Sequence, residues 1–246
     1  LKLVPAGSDR YVLDGRAQLG ATGSSRPASA LTLNGHWRVA DHGLSIRGQI
    51  NDLSIGPQLM EFVAGLTSPS HADPATDEAT DAAGPTHTPP LELRDLGATA
   101  HAHLAFRVTR WQPDADWDYR LLLRVRDGQL KLPLPSGTTR TLERLKGQVY
   151  LDPRQLQIKN LIGHDGNTTV TLNGLVPRSS DPPAGHLDLS VKDVTLDKQL
   201  REILPPEWQA IFDIYGVSGP IDLTTSLRPS AEGAWQPTDT VLTARG

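Results

Sequence analysis

The chain has 246 residues, no cysteine and a formal net charge of −4 at pH 7. This length allows a sizeable hydrophobic core, and the lack of thiols excludes disulfides and cysteine-ligated metal centres. Lysine and arginine are scattered without interleaved aromatic residues, which argues against a nucleic-acid partner. The sequence begins at Leu1 and ends at Gly246 in the middle of its residue pattern at both ends, so we interpret it as a fragment. Because no apolar run approaches 18 residues, we expect any membrane anchor to lie outside it.

Alternation of apolar and polar residues with a period of two dominates the chain. In the first clear run, Leu31, Leu33 and Trp37 alternate with Thr32 and Asn34. The same pattern returns in segments 98–108, 117–125, 130–134, 149–151, 156–158, 170–172, 187–191 and 221–227. Each segment therefore predicts a strand with one apolar and one polar face, which is typical of antiparallel sheet.

Turn-forming residues separate many of these runs. Asp14-Gly15, Asp127-Gly128 and Asp165-Gly166-Asn167 predict hairpin turns, and Asp152-Pro153-Arg154 predicts another turn. Asn34-Gly35 and Asn173-Gly174 differ because they lie inside alternating runs. There we expect a bend or a bulge in a strand and not a turn.

Two segments have helical periodicity, near 57–66 and near 197–214. Leu59 and Phe62 share a face in the first, and Leu200 and Ile203 share a face in the second, where Asp197 is a candidate N-cap. Between the first helix and the next strands, residues 67–90 are rich in Pro, Ala, Thr and Asp. Such a segment buries too little apolar surface to order itself, so we predict a disordered linker or loop.

Short sequences recur along the chain. Thr32-Leu33-Asn34-Gly35 returns at 171–174, Leu53-Ser54-Ile55 returns as Val194-Thr195-Leu196, and Trp111-Gln112-Pro113 returns at 235–237. We therefore predict one continuous β domain built from two quasi-repeats. The first repeat comprises residues 1–66 and continues, after the linker at 67–90, into residues 91–246. The segment 91–246 also contains the second repeat. Repeats of strands with one short helix favour a fold that grows by addition.

Residues capable of chemistry occur without a recognisable constellation. His101 and His103 share a strand face, but the sequence supplies no third metal ligand nearby, so a polar face is the simpler interpretation. Asp114, Asp116 and Asp118 lack the glycine and distal glutamate of a calcium loop and are better explained as turn caps. We expect no enzymatic activity, no catalytic residue, no metal and no cofactor.

Two further groups of side chains were weighed as binding residues. Arg120, Arg124 and Arg126 share an outward strand face, which we interpret as a solvated surface and not a phosphate site. A carbohydrate-binding module could use the indole rings of Trp37, Trp111, Trp117 and Trp235. The aromatic residues are sparse along the sequence, which makes this the weaker interpretation.

The apolar strand faces must be covered, either by a second sheet, by barrel closure or in a trough that holds lipid chains. In-strand glycines favour strong coiling and therefore a trough. The candidate groove residues are Leu31, Leu33, Val39, Leu104, Phe106, Val108, Leu121, Leu123, Val149, Leu151, Val170, Leu172, Leu187, Leu189, Ile221 and Leu223.

Three segments carry a resemblance to a known family: LKGQVYL at 145–151, LQIKNL at 156–161 and VTLNG at 170–174. They resemble the strand repeats of the AsmA-like and TamB-like proteins of the bacterial envelope. Segment 189–204, followed by Pro205-Pro206 and the SGPIDL strand at 218–223, is similar to units of large AsmA-like proteins of planctomycetes.

The resemblance implies a mainly β fold, a long, curled antiparallel sheet with a hydrophobic groove (a β-taco), possibly sandwich-like. It also implies a periplasmic location, tethering to the inner membrane by a segment not present here, and phospholipid as the partner. The expected function is lipid transport between membranes or maintenance of the outer membrane. The alternatives are a structural or adhesive β-sandwich without a ligand and a carbohydrate-binding module.

Overall fold

The computed structural model describes residues 2–19, 29–55, 97–112, 114–133, 139–178, 184–195, 219–230 and 235–244. Every regular element in these residues is a β-strand. The helices predicted near 57–66 and 197–214 and the linker predicted at 67–90 lie outside the described residues.

Twelve strands form one open antiparallel sheet, which confirms the mainly β prediction. Their order in the sheet is their order in the chain, so each strand pairs with its sequence neighbours. The strands are β1 Lys2–Pro5, β2 Arg10–Leu19, β3 Ser29–Arg38, β4 Leu44–Ile55, β5 Gly97–Arg110, β6 Asp118–Pro133, β7 Thr139–Leu151, β8 Gln155–Asp165, β9 Thr168–Pro177, β10 His186–Thr195, β11 Pro220–Pro229 and β12 Trp235–Ala244.

The pairing register collects the apolar residues of successive strands on one face of the sheet. Leu33 lies opposite Gly48, Gly48 opposite Phe106, and Phe106 opposite Leu121. The same row continues through Leu151, Leu156 and Val176. We call the face that carries this row the apolar wall and the opposite face the polar face. Directly opposed residues point to the same side, so the wall is continuous across these strands.

Bulges interrupt the register on every second strand from β4 to β12, and on β7 as well. On five of these strands a bulged residue has a left-handed backbone: φ is 54° at Asp52, 53° at Arg144, 47° at Asn160, 55° at Asp193 and 46° at Asp239. Aspartate and asparagine tolerate this conformation better than most residues, because their short polar side chains bond locally.

The bulge on β4 keeps the apolar residues of that strand on the wall. On β4 the wall residues run to Ile50, and the next ones are Leu53 and Ile55, so the alternation changes phase across Asp52. Without the extra residue, Leu53 and Ile55 would turn to the polar face. Bulges also bend a strand and increase its twist, so their regular placement on alternate strands favours coiling of the whole sheet.

Two of the predicted hairpin turns are wrong. Asp14-Gly15 lies within β2, and Asp127-Gly128 lies within β6, where the change of phase marks a bulge. Gly128 serves close packing, because an added Cβ would lie 2.8 Å from the Cβ of Ala100 on β5. The turns at Asp152-Pro153-Arg154 and Asp165-Gly166-Asn167 are confirmed, since they join β7 to β8 and β8 to β9.

Glycines inside β3 and β9 permit close approach of the next strand. An added Cβ on Gly35 would lie 2.6 Å from the backbone oxygen of Ser45, and one on Gly174 would lie 2.6 Å from that of His186. Neither glycine is part of a turn, and the pairing of each with the following strand is regular. The predicted bend or bulge is therefore replaced by a tight contact that larger side chains would disrupt.

A cluster of buried hydrophobic side chains lies on the wall where β4, β5, β6 and β7 meet. Its members are Ile55, Ala100, Ala102, Val125 and Leu145, and Ala102 is only 1% exposed. These residues flank the bulges at Asp52 on β4 and at residue 126 on β6. The core is therefore anchored by small residues on β5 between larger ones on the neighbouring strands.

Candidate functional site

The apolar wall contains nearly all the candidate groove residues, because the register aligns them on one face. Most are half-buried, whereas Leu151 and Ile221 are 5% and 2% exposed. Val39 differs: it lies one residue beyond the end of β3 and is 39% exposed. The wall is thus a broad aliphatic surface with partial solvent access.

Aliphatic side chains of this kind suit one type of ligand chemistry. Transfer of an acyl chain from water to apolar surroundings is favourable by about 0.8 kcal/mol of free energy for each CH₂ group. Aliphatic surfaces impose little geometry, so they accept hydrocarbon chains of different lengths. The candidate groove residues line none of the surface depressions described below. An acyl chain would therefore lie on the wall as on an open surface.

Aromatic side chains gather at the end of the sheet where β3 ends and β4 begins. Tyr11 stacks on Trp37 with ring centroids 5.7 Å apart. Trp37 and Trp117 line one depression of about 610 Å³ together with His42, Leu44 and Arg110. Sequence reasoning named both tryptophans as candidates for a carbohydrate site but not their proximity, because pairing between strands brings them together.

Guanidinium groups cover the exposed tryptophans at this end. Arg38 lies 5.9 Å from the ring centroid of Trp111, and Arg110 lies 5.2 Å from that of Trp117. Trp111 and Trp117 remain 51% and 46% exposed, so much of each indole is free for further contact. Trp235, the fourth tryptophan considered at the sequence level, lies on β12 and is not part of this group.

His101 and His103 lie on the polar face of β5, as the alternation predicted. His103 Nδ1 is 2.7 Å from the side-chain oxygen of Asn51, and His101 is exposed at the margin of a depression of about 530 Å³. Among the described residues, no group of three His, Asp or Glu side chains is placed to hold a metal ion.

Three arginines lie side by side on the polar face. Arg47 on β4 is directly opposite Arg107 on β5, and Arg107 is directly opposite Arg120 on β6. We call these three residues the arginine row. A depression of about 420 Å³ next to it is lined by Arg10, His36 and other residues in addition to Arg47 and Arg107.

The sequence interpretation of a solvated arginine surface overlooked this row. Arg120 was considered with Arg124 and Arg126 of its own strand, but its register neighbours are Arg107 and Arg47. The available signal was that Arg107 and Arg120 both occupy polar positions of alternating segments, at 98–108 and 117–125. A register was needed to show that the three are adjacent.

The positive charges around the depression beside the row act on one titratable side chain, His36. Partial burial lowers the pKa of the His36 imidazole, and the positive charges of Arg10, Arg38 and Arg107 lower it further. The imidazole is therefore more readily neutral than an ordinary histidine, because a proton on it would add charge to an already cationic surface.

Among the described residues, no helical segment meets the length and hydrophobicity required to span a bilayer. Comparison of the chain with protein-family models, with curated proteins and with solved structures found no match.

Proposed function

We propose that this chain is a non-enzymatic, groove-forming segment of a cell-envelope protein that binds phospholipid acyl chains on its apolar wall. In this proposal it serves lipid transport between membranes or maintenance of the outer membrane, in the bacterial periplasm. A segment outside the sequence given would tether the protein to the inner membrane. The resemblance of the strand repeats to AsmA-like and TamB-like proteins supports this assignment.

The observation that carries the proposal is the continuity of the wall. Apolar residues from successive strands stay on one face although the register shifts repeatedly, because the bulges on β4, β6, β8 and β10 change the phase together with the sequence. A sheet that only needed stability could end its apolar stripe at a bulge. Preservation of the stripe across bulges favours a surface used along its whole width.

We infer further that the sheet is built from two quasi-repeats. The side-chain oxygen of Ser29 donates a hydrogen bond to the backbone oxygen of Asp52, at 2.8 Å. In the second half, the Thr168 hydroxyl donates to the backbone oxygen of Asp193, at 3.3 Å. Both aspartates are left-handed bulge residues. The recurrence of this contact supports a modular sheet that lengthens by adding units.

Lipid extraction and native mass spectrometry of the purified chain test the function directly. We expect co-purifying phospholipid and uptake of a fluorescent fatty acid by the delipidated protein. Protein that carries no lipid and takes up no acyl probe would leave the structural or adhesive sheet without a ligand as the better explanation.

Paired substitutions localise the binding surface. Leu172→Asp introduces a charge on the wall and should reduce probe uptake, whereas Thr171→Asp introduces the same charge on the polar face of the same strand. Circular dichroism establishes that both variants retain the sheet. Equal loss of uptake in two folded variants would contradict the assignment of the wall as the binding face.

A carbohydrate-binding role is the second candidate, favoured by the depression between Trp37 and Trp117. Indole rings stack on the C–H faces of sugars, and Arg110 and His42 supply polar groups beside them. Titration with neutral and acidic oligosaccharides, followed by tryptophan fluorescence, tests this role. Binding that is lost in Trp117→Ala would establish it, and an unchanged spectrum at millimolar sugar would remove it.

A further inference from the structure

The arginine row is electrostatically unfavourable as it stands. Neighbouring strands lie about 4.8 Å apart, and like charges directly opposite each other on a sheet are destabilising. Within the described residues, neither Arg47 nor Arg107 forms a salt bridge or a hydrogen bond with another side chain. The chain as a whole is acidic, with a net charge of −4, so this cationic surface is a local feature.

Acidic residues near Arg47 and Arg107 do not neutralise them, although the charge of Arg120, the third member of the row, acts on the carboxylate of Asp152. Asp14 shares the transverse row but is separated from Arg47 by Asn34 of the intervening strand. Asp118 on β6 pairs with Thr109, one step along the polar face from Arg107. Neither carboxylate lies within salt-bridge distance of Arg47 or Arg107 among the described residues. The two guanidinium groups are therefore available to an external anion.

We propose that Arg47 and Arg107, with Arg10 and His36 at the margin, bind a phosphate group in the depression on the polar face. Guanidinium groups match the oxygens of a phosphate in a bidentate geometry, and two of them on adjacent strands neutralise a dianion. The depression has a volume of about 420 Å³, which accommodates a phosphate together with part of the molecule that carries it.

The site is separate from the proposed lipid surface, because it lies on the opposite face of the sheet. It does not depend on acyl-chain binding, and either proposal can fail without the other. The phosphate can belong to a soluble phosphomonoester or to a lipid headgroup at a membrane surface. The chemistry of recognition is the same for both sources.

The test is isothermal titration of the chain with inorganic pyrophosphate at low ionic strength. We expect saturable binding that weakens by about tenfold or more in Arg47→Gln and in Arg107→Gln, because a hydrogen bond to a charged group is lost. Arg228→Gln is the matched control, since it removes the same charge from an exposed arginine on the polar face of β11. Its affinity should stay close to that of the unchanged chain.

Two further measurements complete the test. In NMR titrations, pyrophosphate should shift the ring resonances of His36 and raise its pKa, and it should leave the ring resonances of His186 unchanged. Vesicles containing phosphatidic acid separate the sources: association that pyrophosphate displaces indicates a headgroup, whereas soluble binding without association indicates a free phosphate compound. Absence of pyrophosphate binding, or an equal loss in Arg228→Gln, would overturn the proposal, the second because it indicates diffuse attraction only.

Discussion

The strand pairs β3–β4 and β9–β10 have a common local framework but carry opposite charges on the polar face. In each pair an asparagine precedes the close-packed glycine, and Asn34 lies opposite Arg47 whereas Asn173 lies opposite Asp188. Asp188 accepts a hydrogen bond from Ser226 on the next strand, at 2.7 Å. Arg47 instead lies opposite Arg107.

The comparison distinguishes residues that stabilise the sheet from charged residues that the sheet exposes on its polar face. In the β9–β10 pair, the Asp188 carboxylate is hydrogen-bonded to a residue of the neighbouring strand β11. In the first half the corresponding charge is opposed by a like charge, which lowers stability in return for an available cationic surface. The close-packed glycine and the left-handed bulge aspartate occur in both strand pairs, whereas the charge opposite the asparagine differs.

The glycine contacts provide the most severe test of the common framework. Gly35→Val and Gly174→Val each place a side chain within 2.6 Å of a backbone oxygen, so each should lower the free energy of unfolding by about 1–3 kcal/mol. Urea unfolding followed by circular dichroism measures the loss. A large loss at only one of the two glycines would break the equivalence of the two strand pairs.

The bulge aspartates should give the next largest effect. Asp52→Val and Asp193→Val place β-branched residues in a left-handed conformation, at a cost of about 1–2 kcal/mol each. Asp52→Gly and Asp193→Gly are the controls and should retain stability, because glycine adopts this conformation freely. Thermal unfolding of the four variants measures the comparison, and valine variants as stable as the glycine variants would refute the role of the bulges.

Reversing the charge at Arg47 tests the difference between the halves. Arg47→Asp places a carboxylate opposite Arg107, as an opposite-charge cross-strand pair, and should raise stability by roughly 0.2–1 kcal/mol. The same change should eliminate pyrophosphate binding. Denaturant unfolding and calorimetry measure the two effects, and a variant that is less stable than the parent would show that Arg47 has a stabilising partner.

Acid should act on the first half through His36. Its pKa in the folded chain is below the ordinary value of 6.5, so the unfolded chain takes up a proton first as the pH falls. Stability should therefore decrease as the pH is lowered from about 6.5 towards the folded-state pKa. His36→Gln should flatten this part of the profile. An unchanged profile in that variant would assign the pH dependence to other groups.

Alternation in the sequence predicted many of the strands and the face on which Leu33, Leu104 and Leu172 lie, because a period of two is imposed by the backbone itself. It missed β1 and β2, and Asp14-Gly15, a predicted turn, lies inside β2. It was not sufficient at Asp127-Gly128, where a change of phase is equally consistent with a hairpin turn and with a bulge. The structure distinguishes these because the alternation resumes on the same strand.

The sites on the sheet were less accessible to sequence reasoning. Arg47, Arg107 and Arg120 are far apart in the chain, and their adjacency depends on the register of three strands. Trp37 and Trp117 become neighbours in the same way. Composition indicates which residue types are present, but only pairing between strands specifies which of them act together.

The sequential order of the strands has a consequence for biosynthesis. Each strand finds its hydrogen-bonding partner in the strand that precedes or follows it in the chain. A nascent chain can therefore fold one strand pair at a time during synthesis, because each new strand pairs with the strand that was translated before it. Premature termination would leave a shorter sheet whose completed part is already paired.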